Sequence, residues 1–187
     1  MTSNKWFETK WIFLTSFGWL IAQYVGIAVT GTAYPQFPSS MLVSSPLYWT
    51  IFGAIIGLSQ WIIVRNRMPS AFRWVLATTI SYCASALLLK WFNLFDVINS
   101  FLKSYPVLGY FFSGIIIGFA QYLVIKRTFM HANRWIIVVA IGWPLTSVIL
   151  GIHELLIQLF GIFLFAFSTG IAFAQLSKQP STELQTA

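Results

Sequence analysis

The chain alternates long apolar stretches with short polar connections. Six such stretches run from Trp11 to Thr32, Pro46 to Val64, Arg73 to Phe92, Pro106 to Ile125, Arg134 to Ile152 and Phe160 to Leu176. Each is long enough, as a helix, to cross about 30 Å of hydrocarbon. Charges fall at or near the ends of the stretches. The pattern predicts an all-α integral membrane protein with six transmembrane helices.

The stretches are copies of one another. GAIIGLSQWIIVRNRMPSAFRWV from Gly53 aligns with GIIIGFAQYLVIKRTFMHANRWI from Gly114, every feature offset by 61 residues. Gly53, Gly57, Gln60, Arg73 and Trp74 thereby match Gly114, Gly118, Gln121, Arg134 and Trp135. STGIAFAQ near the end of the chain aligns as a third copy, with Ser168, Ala172 and Gln175 at the same spacings. The helices opening each unit match too: Lys10-Trp11 with Gly18-Trp19, Arg73-Trp74 with Ser81-Tyr82, and Arg134-Trp135 with Gly142-Trp143.

Pairs of spans repeated in this way all face the same direction across a membrane, so they are parallel repeats related by an axis along its normal. The expected architecture is three two-helix repeats, residues 11–64, 73–125 and 134–176, closed into an approximately threefold bundle. Residues 1–10 form a cytoplasmic N-terminus and 177–187 a disordered cytoplasmic tail. The uncharged connection from Ala33 to Ser45, with Pro35 and Pro38, reads as ordered but irregular. Leu94, Val97, Ile98, Phe101 and Leu102 recur at helical spacing, which fits either a short interfacial helix or a loop over the bundle end.

Composition agrees with this reading. Of 187 residues 58% are hydrophobic and only 8% charged, far from the balance of a soluble domain. The net charge of +7 reflects basic residues scattered between apolar runs, which points to orientation and excludes a nucleic-acid footprint. With alternate connections on opposite sides, Lys5, Lys10, Arg65, Arg67, Arg73, Lys126, Arg127, Arg134 and Lys178 face Lys90 and Lys103. The positive-inside rule then makes both termini cytoplasmic. Gly31 and Ala33 have the spacing of a signal-peptide cleavage site, but the preceding stretch is long for one and shares the Gly-Trp signature of later helices, so it is expected to be retained. Cys83, the single cysteine, lies within an apolar run and cannot form a disulfide within one chain.

Each repeated residue type has a physical role. Small residues four apart let two helix backbones approach where lipid removes the hydrophobic drive between them. Trp11, Trp74 and Trp135, beside a basic residue and accompanied by Arg73 and Arg134, read as interface anchors, with specific binding of an anionic lipid between repeats as the lesser alternative. Gln60, Gln121 and Gln175 lie one to two turns from the cytoplasmic helix ends, where an amide needs a partner; they form a polar layer that clamps helices or holds a ligand. Thr15 and Thr78 are candidate partners for it. Trp19 and Trp143 are candidate aromatic lining. His153-Glu154, at the outer end of the fifth span, is a candidate pH-sensing or cation site.

Catalytic chemistry has little to work with. There is no HExxH, no paired intramembrane carboxylate and no serine with a histidine base at the same depth. No metal site and no cofactor are predicted. The leading reading is a non-enzymatic membrane protein, an accessory subunit or scaffold of a membrane complex, whose partners are the lipid bilayer and other subunits or its own copies. A second reading is a carrier or binding subunit for an uncharged or aromatic molecule; a third is a pigment- or quinone-binding protein.

The combination of GxxxGxxQW, a basic turn and a Trp opening the next helix resembles a group of small, uncharacterised multi-pass membrane proteins of cyanobacteria and other bacteria. The resemblance implies a bacterial inner or thylakoid membrane and carries no activity with it.

Overall fold

The computed structural model describes residues 4–30, 46–68, 71–92, 106–150 and 155–178. These form six helices: α1 (Asn4–Thr30), α2 (Pro46–Val64), α3 (Ala71–Phe92), α4 (Pro106–Ile125), α5 (Arg134–Leu150) and α6 (Leu155–Leu176). Five of them are long and apolar enough to cross a membrane. The sixth, α5, is apolar but shorter, and it carries Pro144 within its length. The connections at 31–45 and 93–105, the His153-Glu154 pair and the tail from 179 onward lie outside the described residues.

Each helix packs on the next, and α6 packs back on α1, so the six form a closed ring. The seams are unequal. The α2/α3 and α4/α5 seams are the most extensive and α6/α1 the least. Glycine explains the first two. A Cβ on Gly57 would stand 3.0 Å from Val75 Cα, and one on Gly118 the same distance from Ile136 Cα. Gly114 is tighter still, 2.8 Å from the Val139 carbonyl oxygen. A Cβ would crowd backbone atoms at these positions, and its absence lets backbone pack against backbone.

The turns after α2 and α4 match bond for bond. Val64 and Ile125 carbonyls each accept from two successive amides, those of Arg67 and Met68 and those of Thr128 and Phe129. Met68 and Phe129 are thereby tucked into the core. The second turn is longer and passes through His131 at φ 57°, in the left-handed region that β-carbon sterics disfavour.

The ring is apolar on both sides. Phe13, Phe17, Ile80, Phe119, Ile137 and Phe160 are among the large side chains exposed on its outer surface. Its interior holds six fully buried tryptophans, Trp11, Trp19, Trp49, Trp74, Trp135 and Trp143.

Candidate functional site

The interior is built in layers by the odd-numbered helices of the ring. Positions four apart share a helix face, so α1 turns Trp11, Thr15 and Trp19 inward, α3 turns Trp74, Thr78 and Tyr82, and α5 turns Trp135, Val139 and Trp143. All nine are buried.

In the first layer the indoles of Trp11, Trp74 and Trp135 meet one another at centroid distances of 5.6–6.3 Å. Phe173 from α6 closes the cluster, 5.0 Å from Trp11 and 5.7–5.8 Å from the other two. The tilted and edge-on angles are those aromatic quadrupoles prefer. These tryptophans are therefore core residues and not the interface anchors their basic neighbours suggested, whereas Arg73 and Arg134 do face outward. A Trp one residue beyond a cation at a helix start can turn either way, and here the indole finds both ring partners and a hydrogen-bond acceptor inside.

That acceptor is the repeated glutamine. Trp74 Nε1 donates to Gln60 Oε1 at 3.0 Å, and Trp135 Nε1 to Gln121 Oε1 at 2.9 Å, each across fourteen residues of chain and each buried. Gln121 Nε2 donates onward to Thr78 Oγ1 at 3.0 Å, joining α4 to α3. Thr15, the corresponding position on α1, is buried with no hydrogen-bond partner for its hydroxyl.

Gln175 does not join this layer. It is exposed, while Phe173 is buried; at the aligned positions in the other copies Gln60 and Gln121 are buried and Leu58 and Phe119 exposed. In its place Thr169 Oγ1, which donates to the Phe165 carbonyl at 2.7 Å, accepts the Trp11 indole proton at 3.1 Å. The sequence alignment of the third copy thus fails as a guide to facing. Six residues separate Thr169 from Gln175, and the shift brings Gly170 under the Trp11 ring, 2.9 Å from where a Cβ would stand.

Two turns further in, Trp19, Tyr82 and Trp143 make a second aromatic layer. Trp143 lies 5.3 Å from Trp19 and 5.2 Å from Tyr82, with Trp49, Phe52 and Phe165 packed around them. Trp19 and Trp143 thus pack against neighbouring rings. Buried aromatics on this scale stabilise strongly, about 3–5 kcal/mol each on truncation.

Among the described residues, openings lie on the outside of the ring. Three grooves run down the α1/α2, α3/α4 and α5/α6 seams, of about 630, 510 and 300 Å³. Each has cations at its head: Lys10, Arg65 and Arg67; Arg73, Lys126 and Arg127; Arg134 and Lys178. Arg67 lies across the Phe7 ring at 3.8 Å and donates to Ser177 Oγ at 2.6 Å; partial burial lowers its pKa. The basic residues that head these grooves are visible in the sequence, as an orientation signal and as candidate contacts for an anionic lipid, but the grooves themselves are not.

Among the described residues no three His, Cys, Asp or Glu side chains gather closely enough to hold a metal ion. No family model matches the chain, and no curated protein or solved structure matches it.

Proposed function

We propose that the chain is a non-enzymatic multi-pass membrane protein, an accessory subunit or scaffold that works through its outer surface. In this reading the ring is an approximately threefold bundle of parallel repeats in a bacterial inner or thylakoid membrane, with both termini on the cytoplasmic side. One observation carries the proposal. The centre of the ring is filled by two layers of buried aromatics, and the polar groups that could have served a solute, Gln60 and Gln121, are already engaged by Trp74 and Trp135. A carrier needs a polar cavity, and in such a core both glutamine carbonyl oxygens are already committed to indoles.

The apolar outer surface and the cations gathered at one end fit a bilayer and its cytoplasmic boundary. In a mild detergent the full chain is expected to run as an assembly, with itself or with another membrane subunit, by size exclusion coupled to light scattering. A lone monomer that transports solute in proteoliposomes, and loses transport in Gln60→Leu and Gln121→Leu, would refute the scaffold reading.

A further inference from the structure

We propose that the groove between α1 and α2 binds an anionic phospholipid, its phosphate held by Lys10 and Arg65 and an acyl chain laid along Phe13 and Ile62. The inference rests on the bundle spanning a bilayer, and it names the surface chemistry through which the protein meets that bilayer.

The groove has two chemistries in the order a lipid requires. At its head stand Lys10 and Arg65, both exposed, with Asn66 and Thr9 beside them and no carboxylate among the lining residues. Below the head the walls become apolar, and the exposed edges, Phe13 at 65% and Ile62 at 47%, run on into the outer belt. A free anion would neutralise the head and leave those walls uncovered. A lipid covers both parts with one molecule, matching charge at the interface and hydrocarbon below it. The volume of about 630 Å³ lies within the usual range of about 300–1,000 Å³ for ligand sites.

The head is also prepared for an anion. Arg67 is fixed at the back of the groove by Phe7 and Ser177, so its charge adds to the local field without moving. Lys10 and Arg65 rest over the faces of Trp6 and Trp61, at 4.6 and 5.4 Å, and can swing from these rings to a phosphate. The seam between α3 and α4 repeats the construction, with Arg73, Lys126 and Arg127 above Ile80 and Leu123. Two seams built alike, each cationic at the same end and apolar below, argue for a common occupant.

The test uses the full chain in mild detergent with equal amounts of phosphatidylglycerol and phosphatidylcholine, read by native mass spectrometry. Phosphatidylglycerol is expected to be retained about tenfold over phosphatidylcholine, and the double variant Lys10→Gln/Arg65→Gln to bring that ratio to about threefold or less. Phosphatidylglycerol with brominated chains should quench tryptophan fluorescence more than its phosphatidylcholine counterpart, and Trp6→Phe should remove part of that difference. Equal retention of the two lipids, or a ratio unchanged in the double variant, overturns the proposal and leaves the membrane reading standing. So does glycerol phosphate displacing the lipid at matched concentration, since the site would then read a free anion. Failure to retain either lipid, in a protein that stays monodisperse without detergent, overturns both.

Discussion

The α2/α3 and α4/α5 seams join helices consecutive in the chain, and the α6/α1 seam joins its two ends. In the α2/α3 and α4/α5 seams glycine brings backbone onto backbone, and a glutamine fourteen residues upstream accepts the tryptophan indole. In the α6/α1 seam the Trp11 ring lies over Gly170, and a threonine hydroxyl takes the place of the amide. A ring between helices holds them apart, and this seam is much less extensive than the α2/α3 and α4/α5 seams. The difference teaches that one aromatic layer can be kept constant while the scaffold around it changes: all three indoles stay buried and bonded, by two kinds of seam.

The largest effects should come from the layer the seams share. Trp11→Ala and Trp74→Ala should each cost about 3–5 kcal/mol, measured by unfolding in detergent, with Trp11→Ala opening the ring at α6/α1. If Trp11→Ala left α1 as protected from hydrogen exchange as α3, the weak-closure picture would fail.

Next comes glycine. Gly114→Ala places a methyl against a backbone carbonyl and should cost about 1–3 kcal/mol. Gly109→Ala, whose Cβ would stand 3.4 Å from the Leu89 side chain, should stay within about 0.5 kcal/mol of the parent. Equal effects at the two positions would show that backbone contact is not what sets the tight seams apart.

The glutamines separate the copies more finely. Gln121→Leu removes two buried bonds and Gln60→Leu one, so the losses should fall in that order, each bond worth about 0.6 and up to roughly 1.7 kcal/mol. Gln175→Leu should be neutral because that side chain is exposed. A cost for Gln175→Leu equal to that for Gln60→Leu would return the third glutamine to the buried layer.

The smallest contrast concerns one hydroxyl. Thr78→Val loses the bond from Gln121 and should destabilise by about 0.5–1.5 kcal/mol. Thr15→Val removes a buried hydroxyl that has no partner, and should be neutral or slightly stabilising. Thermal unfolding of the pair decides it.

Much of this was legible in the residue pattern. Gly53, Gly57, Gln60 and Trp74 recur 61 residues later, and both sets make the same glycine approaches and the same indole-to-glutamine bond. Helix limits also followed hydropathy closely: Pro46–Val64 and Pro106–Ile125 are as the sequence indicates, whereas α1 begins at Asn4, ahead of the apolar stretch. What hydropathy could not reveal was facing. When both the outside and the inside of a ring are apolar, as with Ile80 and Tyr82 on α3, no amphipathic stripe distinguishes them. Sequence alone therefore puts Trp74 at the interface although it belongs in the core, and aligns Gln175 with a layer from which its helix face turns it away. The clamp had a signal in the sequence, the constant fourteen-residue gap from Gln to Trp, but a gap within one chain segment does not say which way an indole turns.

The bond from Trp11 to Thr169 spans 158 residues, and this gives the protein a waiting time. At about 5–20 residues per second, α2 can find α3, and α4 can find α5, within a few seconds of emerging. Trp11 leaves the ribosome roughly 8–30 s before its acceptor exists. Throughout that interval α1 has no closing neighbour, so the step that completes the ring is also the last moment at which an insertion factor, a lipid or a second copy can occupy the α6 side of the helix.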